Sequence, residues 1–230
     1  KLPVYHRRGV VHMAFSPDRR RMVSVGQDQD HSIALWESPS GNWVDGRLLA
    51  ASKADTNPCL FCDFYTKCTD GYILSSGGRF HQKFWYVDGR CLNANYPEYD
   101  AKQKIGTMLC GTSVGHNFVS GSTSGHLFVW NGRKLTRMVR AHELGVTCIW
   151  ACEQGVVTAA KDGMVKLWTT VFEHIRSFML NDADVPPLVG KVRSIDGFLS
   201  TDGTAIVKIL ASTAGGEIYE IAARSGGVCL

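Results

Sequence analysis

One stretch decides the fold: VVTAAKDGMVKLW, at residues 156–168. Two short β-rich runs, 156–160 and 164–168, flank the dipeptide Asp162-Gly163, which suits the tight turn of a hairpin. Tryptophan ends the second run. The stretch therefore predicts an antiparallel β-hairpin whose second strand closes on Trp168.

The same pattern recurs along the chain. Tryptophan closes β-rich runs at residues 32–36, 82–85, 126–130 and 164–168, and these tryptophans are 49, 45 and 38 residues apart. A fifth run, 216–220, lacks the tryptophan and is degenerate. A further apolar run precedes each hairpin, and a fourth strand fits the variable stretch after it. Since no stretch shows a helical period, the sequence predicts an all-β chain of four-stranded antiparallel units.

Composition narrows the classes of protein. The 230 residues include 24 glycines and 7 prolines, with 44% hydrophobic residues, which excludes collagen and a disordered tail. No apolar run is long enough to span a bilayer, so we expect a soluble intracellular protein. The net charge of +4 suits an acidic partner, whereas nucleic-acid binders usually carry more. The eight cysteines are expected to be reduced thiols.

The order of the runs resembles the WD-repeat family of β-propellers, in which each repeat of about 40–45 residues forms one blade. The resemblance covers essentially the whole chain. It implies a hydrogen-bonded set of His, Ser or Thr, Asp and Trp inside a blade, with structural rather than catalytic histidines. The fourth repeat supplies His142, Thr158, Asp162 and Trp168, and the first supplies His6, Ser24, Asp28 and Trp36.

The middle repeats depart from this set. At the Asp position the second repeat has Arg79 and the third has Ser124. Both keep the hydroxyl and the indole, which we expect at Ser75 with Trp85 and at Ser120 with Trp130.

Several phrases are similar to one branch of the family, the echinoderm microtubule-associated protein-like (EMAP-like) proteins. They are VHMAFSPD at 11–18, SVGQDQDHSIALW at 24–36, KFWYVDG at 83–89 and GSTSGHLFVWNG at 121–132. The resemblance implies a noncatalytic scaffold that binds tubulin or microtubules, or builds protein complexes on them. We expect no cofactor, and neither nucleic acid nor membrane as partner. The resemblance also implies a cytoplasmic, cytoskeletal location, with the cilium or flagellar axoneme as one setting. The alternative is a general WD-repeat adaptor in a ciliary, ubiquitin-ligase or other multiprotein complex.

Five arginines are candidates for contact with a partner. Arg19, Arg20 and Arg21 follow the turn sequence Ser16-Pro17-Asp18, whereas Arg7 and Arg8 precede the first strand. We therefore expect two basic clusters at opposite ends of the first blade. An acidic partner, such as the glutamate-rich tails of tubulin, would engage either one. The alternative for each cluster is a solvated turn.

Catalytic and metal sites have weaker support. Cys59, Cys62 and Cys68, with His81 or Cys91, allow a zinc site, but strand alternation places Cys59 and Cys62 on opposite faces unless a bulge intervenes. The glycine-rich stretches 111–116 and 121–125 lack a phosphate-loop ending, and no Gly-x-Ser-x-Gly elbow precedes a helix. We expect no enzyme activity and no metal.

Five approximate repeats follow from this reading, at residues 1–50, 51–99, 100–137, 138–187 and 188–230. A common seven-bladed ring needs about 280–315 residues. We therefore expect residues 1–230 to be part of a larger, tandem propeller, with a closed five-bladed ring as the alternative. First and fifth blades that pack together would contradict this expectation.

Overall fold

The computed structural model describes residues 2–100 and 105–230. Residue 1 and residues 101–104, at the start of the predicted third repeat, lie outside the described residues. The described chain contains twenty β-strands and one 3-10 turn at Leu180–Asp182. The all-β prediction is confirmed. Within these residues no helix is long and apolar enough to cross a membrane.

The described residues form two compact units. One unit comprises residues from 1–120 and 129–137, and the other comprises residues 121–128 and 138–230.

The first two blades share one eight-stranded sheet in the first unit. Each half is a four-stranded antiparallel meander, and the outer strands of the halves meet in a single parallel bridge between Ala51 and Cys91. The Ala51 amide there donates to the Arg90 carbonyl at 3.2 Å. The first half contains β1 (Val10–Phe15), β2 (Arg21–Gly26), β3 (Ile33–Glu37) and β4 (Arg47–Ser52). The second contains β5 (Cys59–Phe64), β6 (Leu74–Gly78), β7 (His81–Asp88) and β8 (Cys91–Asn95).

Three separate four-stranded sheets follow, and each keeps its strands in chain order. The third sheet, whose residues are divided between the two units, contains β9 (Met108–Val114), β10 (Asn117–Ser122), β11 (His126–Asn131) and β12 (Lys134–Arg140). The fourth contains β13 (Val146–Cys152), β14 (Gly155–Ala160), β15 (Met164–Trp168) and β16 (His174–Met179). The fifth contains β17 (Val192–Leu199), β18 (Ile206–Thr213), β19 (Ile218–Ala222) and β20 (Val228–Cys229).

The middle strands of the sheets are covered on both faces. Every residue of β14 is buried, and in β2 all residues after Arg21 are buried. Such strands read as continuous apolar or small-residue runs rather than as an alternation. Each unit has its own main core, including Val23, Ile33, Leu35, Leu74 and Trp85 in the first, and Val157, Val165, Ile209, Tyr219 and Ile221 in the second.

Glycine permits one close approach between neighbouring blades of the second unit. A Cβ atom on Gly197 of β17 would lie 2.5 Å from the ring of Trp150 of β13. The absence of a side chain at position 197 therefore makes room for the indole between β13 and β17.

Candidate interaction surface and its supporting networks

The fourth blade brings together the four residues predicted from its repeat. His142 Nε2 lies 2.8 Å from Thr158 Oγ1, which also accepts a 2.9 Å bond from Trp168 Nε1. His142 Nδ1 lies 3.2 Å from the carboxylate of Asp162. Burial opposes ionisation of Asp162, but hydrogen bonds from His142 and the Met164 amide outweigh it and hold its pKa below the ordinary value. The indole, hydroxyl, imidazole and carboxylate thus satisfy one another.

The first blade builds a longer version of this network. His6 Nε2 lies 2.7 Å from Ser24 Oγ, and Trp36 Nε1 donates to the same hydroxyl at 2.8 Å. Asp28 is 3.9 Å from the imidazole, because the Ser32 hydroxyl lies between them and contacts His6 Nδ1 at 2.9 Å and Asp28 at 2.5 Å. Burial lowers the pKa of His6, and the charge of Asp28 only partly opposes this shift. Ser32 is a member that the repeat pattern did not reveal.

The hydroxyl of the second blade differs from the predicted one. Trp85 Nε1 donates to Ser76 Oγ at 2.8 Å, so the expected pairing with Ser75 is wrong. Ser75 instead accepts from Gln82 and donates to the Lys83 carbonyl at 3.0 Å. The cause is strand register. Ser76 pairs with the residue two positions before the tryptophan, as Ser24 and Thr158 do in their blades.

The third blade keeps the predicted hydroxyl. Trp130 Nε1 donates to Ser120 Oγ at 2.7 Å, and Ser120 donates to Gln82 Oε1 at 3.1 Å. Ser124, at the position of the aspartate, contacts the hydroxyl of Ser122 at 2.8 Å.

A buried ion pair replaces the histidine network in the second blade. Asp55 stands four residues before β5, the position that the histidines hold before β1 and β13. Its carboxylate lies 2.9 Å from Lys83 Nζ and 3.9 Å from His81 Nδ1, and all three side chains are largely buried. Burial opposes ionisation, but the Asn57 amide and Lys83 lower the pKa of Asp55 to about 2. Burial lowers the pKa of His81, whose Nε2 has no hydrogen-bond partner among the described residues.

The lysines of the second and fourth blades make the same backbone contact. Lys166 Nζ donates to the Ala141 carbonyl at 2.6 Å, and Lys83 Nζ donates to the Ala54 carbonyl. Each lysine lies two residues before its tryptophan, and each alanine directly precedes the residue at the histidine position. Each lysine thus links the third strand of its blade by a hydrogen bond to the chain segment that precedes the first strand.

The two arginine clusters lie at opposite ends of β1. Arg7 and Arg8 are exposed before its first residue, and Arg19 and Arg20 are exposed in the turn after its last. Arg21 is exposed at the start of β2.

Hydrogen bonds fix the backbone of the arginine turn, residues 16–21. The Ser16 hydroxyl donates to Asp18 at 2.5 Å and accepts from the Arg21 amide at 2.9 Å. Asp18 accepts from the Arg20 amide at 3.0 Å, and the Arg19 amide donates to the Ser16 carbonyl at 2.8 Å. The turn therefore presents its guanidinium groups from a defined backbone.

The fifth blade contains the same turn without arginine. Asp202 accepts from the Ser200 hydroxyl at 2.5 Å and from the Thr204 amide at 3.1 Å. The Gly203 amide donates to the Ser200 carbonyl at 2.8 Å, and the Ala205 amide donates to the Ser200 hydroxyl at 3.1 Å. These bonds match those of the arginine turn one for one. The serine and aspartate thus hold the turn, and the arginines are not needed for its shape.

The connection between β3 and β4 supports the arginine turn through one side chain and one backbone amide. Trp43 Nε1 donates to the Arg19 carbonyl at 3.0 Å, and the Ser38 amide donates to the Arg20 carbonyl at 2.8 Å. The Trp43 ring packs edge-on against Phe15 at 5.3 Å between centroids.

A cleft of about 680 Å³ opens beside the arginine turn. Arg20 and Arg21 line it together with the carboxylates of Asp18 and Glu37, and the half-buried Ile73 of the second blade contributes apolar surface. Glu37 already pairs with Arg47 at 2.8 Å. The cleft thus combines two guanidinium groups and two carboxylates with the apolar surface of Ile73.

The cysteine pair of the second blade lies in the core. A bulge between Cys59 and Phe61 brings Cys59 and Cys62 into one hydrophobic cluster, so their predicted placement on opposite faces is wrong. Burial raises the pKa of Cys59 to about 12 and that of Cys62 well above its ordinary value. Both are therefore neutral thiols that pack as small apolar groups. The described residues include no group of three potential metal ligands.

Comparisons with known proteins agree with this architecture. The sequence model of WD40 (WD domain, G-beta repeat) matches residues 4–37 and 133–169. Among solved structures, the RRP9 WD40 repeats superpose with a TM-score of 0.71 at 17% identity, covering 98% of this chain and 63% of that one. The WD40 β-propeller domain of Doa1 gives 0.67 at 17%, covering 98% and 69%. The chain therefore has the fold of a WD40 β-propeller, and its segments 4–37 and 133–169 match the WD40 repeat itself.

Three curated relatives are similar to this chain in sequence. Echinoderm microtubule-associated protein-like 2 of Mus musculus is 26% identical over 82% of this chain and 28% of its own length. Echinoderm microtubule-associated protein-like 1 of Homo sapiens is 25% identical over 93% and 26%. WD repeat-containing protein 90 of Xenopus tropicalis is 24% identical over 94% and 12%. This chain is homologous to the EMAP-like proteins, and it spans about a quarter of their length.

Proposed function

We propose that this chain is a noncatalytic scaffold that binds tubulin or microtubules. The observation that carries the proposal is its homology to two proteins named as microtubule-associated, over 82% and 93% of its length. Propeller blades of this kind present loops on a rigid framework, which suits protein recognition. We expect the protein to lie in the cytoplasm on the cytoskeleton, including that of the cilium, and to bind neither nucleic acid nor membrane.

The arginine turn is the contact that we propose for an acidic partner. Hydrogen bonds hold its backbone, so binding costs little backbone entropy, and only the arginine side chains must be ordered when they engage carboxylates. The adjoining cleft adds apolar surface from Ile73. Arginines pair with carboxylates in a bidentate geometry. Three arginines on one turn can each engage a carboxylate of the same chain, which favours the glutamate-rich tails of tubulin over an isolated anion.

Co-sedimentation of the full-length protein with microtubules tests this proposal. The informative variant is Arg19→Gly/Arg20→Thr/Arg21→Ala, because it copies the turn of the fifth blade and preserves the fold. We expect about a tenfold or greater loss of affinity at low salt, and weaker binding of the unmodified protein as salt rises. The matched control is Arg7→Ser/Arg8→Ser, which removes charge from the other end of β1. No sedimentation of the unmodified protein at low salt would refute the function. An unchanged affinity of the triple variant would refute only the role of the turn.

A second candidate function is that of a WD-repeat adaptor in another assembly, such as a ciliary or ubiquitin-ligase complex. It is supported by the match to WD repeat-containing protein 90 over 94% of this chain. Affinity capture of the full-length protein from cells, followed by mass spectrometry, separates the two functions. Tubulin as the dominant partner supports the first, whereas a stoichiometric complex without tubulin supports the second.

A further inference from the structure

A row of three charged side chains crosses the first blade beside the arginine turn. Arg21 begins β2, Glu37 ends β3 and Arg47 begins β4. The strand register places Glu37 directly opposite Arg21 on one side and directly opposite Arg47 on the other. Directly opposite side chains of an antiparallel pair share one face of the sheet, with Cβ atoms about 4.5–5.5 Å apart. Two arginines therefore flank a single carboxylate.

The carboxylate of Glu37 engages Arg47 and not Arg21. Arg47 Nε and Arg47 Nη2 each lie 2.8 Å from Glu37 Oε1. Within residues 2–100 and 105–230, Arg21 forms no ion pair. Arg47 thus draws the carboxylate toward β4, and the guanidinium group of Arg21 stays available at the cleft, which it lines.

Positive and negative charges are equal in number in the lining of the cleft, so each carboxylate there influences how an acidic partner binds. One carboxylate, Asp18, accepts the hydrogen bonds from the Ser16 hydroxyl and the Arg20 amide that hold the turn. The other, Glu37, pairs with Arg47, whose side chain is 68% exposed, and such pairs contribute little to stability. Glu37 is therefore the carboxylate whose charge affects binding with little effect on the fold.

We propose that Glu37 determines the specificity of the arginine turn by opposing acidic partners, and that Arg47 is a positioning residue that holds this carboxylate away from Arg21. The proposal rests on the proposed function, because it takes the arginine turn as the contact for an acidic partner. A lone carboxylate gains little at a cleft with equal numbers of guanidinium groups and carboxylates. A segment with several adjacent carboxylates engages the three arginines of the turn together, and it is the partner that fits.

Fluorescence anisotropy of the full-length protein with a labelled oligoglutamate peptide tests the role of Glu37. Glu37→Gln should tighten binding about threefold at low salt, because a neutral amide of the same size replaces a carboxylate beside the peptide. The gain should shrink as salt rises. The matched control is Glu173→Gln, which changes the net charge equally at an exposed position in the other unit and should leave the affinity nearly unchanged.

A double-mutant cycle separates the positioning role of Arg47 from its charge. Arg47→Gln should weaken peptide binding about fivefold, because a positive charge is lost and Glu37 is released toward Arg21. The same replacement in the Glu37→Gln background should weaken binding about twofold or less, because only the charge is lost. Arg47→Lys keeps the charge and can still pair with Glu37, so it should retain most of the affinity.

Circular dichroism shows whether each variant is folded. The proposal is overturned if Glu37→Gln binds the peptide no more tightly than Glu173→Gln, or if Arg47→Gln costs the same factor with and without Glu37. Absence of binding by the unmodified protein up to about 1 mM peptide would also overturn it.

Co-sedimentation of the same variants with microtubules distinguishes this proposal from the proposed function. The expected changes in peptide affinity without any sedimentation would refute the microtubule function alone. Sedimentation of the unmodified protein, with equal peptide affinities for Glu37→Gln and Glu173→Gln, would refute the role of Glu37 alone.

Discussion

Lys83 and Asp55 form an ion pair of 2.9 Å inside the second blade, where the first and fourth blades hold a histidine network. Asp55 takes the position of the histidine, and Lys83 takes the position of Lys166. The lysine thus gains a carboxylate while it keeps its contact with the incoming chain at Ala54. The second blade thus has an ion pair between the segment before its first strand and its third strand, where the first and fourth blades have a histidine network.

Replacement of Lys83 by methionine should destabilise the protein strongly. Asp55 would remain buried without its cation, and breaking a buried pair in this way costs about 3–5 kcal/mol. The free energy of unfolding from urea denaturation measures the effect. Lys53→Met is the matched control, because the Lys53–Asp30 pair is exposed and such pairs contribute about 0–1 kcal/mol. Similar losses in the two variants would show that the buried pair has no special role.

Thr158→Val should cost about 1–3 kcal/mol, because the hydroxyl serves both His142 and Trp168 and its loss leaves buried polar groups unpaired. Thr158→Ser should recover most of this loss, since Ser24 and Ser120 accept the indole N–H in their own blades. Thermal unfolding of the two variants provides the measurement. A loss in Thr158→Ser as large as that in Thr158→Val would contradict this account, because serine keeps the hydroxyl and lacks only the methyl group.

Arg19→Gly should leave stability unchanged or raise it by up to about 1 kcal/mol. Arg19 has a φ of +59°, and its counterpart in the fifth blade is Gly203 with a φ of +69°. Glycine adopts this left-handed conformation without the steric cost that a side chain incurs, although its unfolded state has more entropy. Arg20→Gly, at a position without a positive φ, should instead lower stability by about 0.5–1 kcal/mol. The midpoints of urea unfolding would contradict this account if Arg19→Gly were the more damaging change.

Asp63→Asn should stabilise the protein at pH 7 by about 1–2 kcal/mol. Burial raises the pKa of Asp63 to about 6, and hydrogen bonds from Thr112 and the Phe64 amide only partly oppose this shift. The folded carboxyl therefore binds its proton more tightly than the unfolded one. Its cost is complete above about pH 6 and disappears as the pH falls toward 4, so the gain from asparagine should disappear over the same range.

Asp45→Asn is a control, because it should change the stability at pH 7 in the opposite direction. Hydrogen bonds from Ser38 and Ser40 lower the pKa of Asp45 to about 2, so its ionised form stabilises the fold above about pH 4 and this contribution is lost toward pH 2. Asparagine at position 45 should therefore be destabilising at pH 7. Urea unfolding between pH 3 and 8 measures both effects. A stability change in the same direction for both variants at pH 7 would contradict the opposite pKa shifts of Asp63 and Asp45.

Tryptophan spacing and turn residues were enough to predict the all-β class and the blade pattern, because a large aromatic residue at the end of a buried strand is visible in the sequence. The four members of the fourth network could be predicted for the same reason: each occupies its expected position relative to a strand. Ser75 shows the limit. Ser75 and Ser76 are adjacent residues of the same type on opposite faces of the strand, and a one-residue error in the register exchanges the serine that faces Trp85.

Other residues of the polar networks could not be predicted from the repeat pattern of the sequence. Ser32 bridges His6 and Asp28 in a first blade whose turn is two residues longer than that of the fourth blade. Asp55 stands at a histidine position, and its spacing of four residues before β5 was a usable signal once the strand was known. The bulge at Cys59 inverted the expected side-chain alternation, and bulges depend on contacts that a single sequence does not show.

Deuterium exchange at the bridge between β4 and β8 can show whether the first two blades move apart. The Ala51 amide donates to the Arg90 carbonyl of the neighbouring blade. Hinge-like parting of the two blades would expose this proton to deuterium exchange while the hydrogen bonds within each blade remain closed. One amide therefore distinguishes movement between blades from unfolding of either blade.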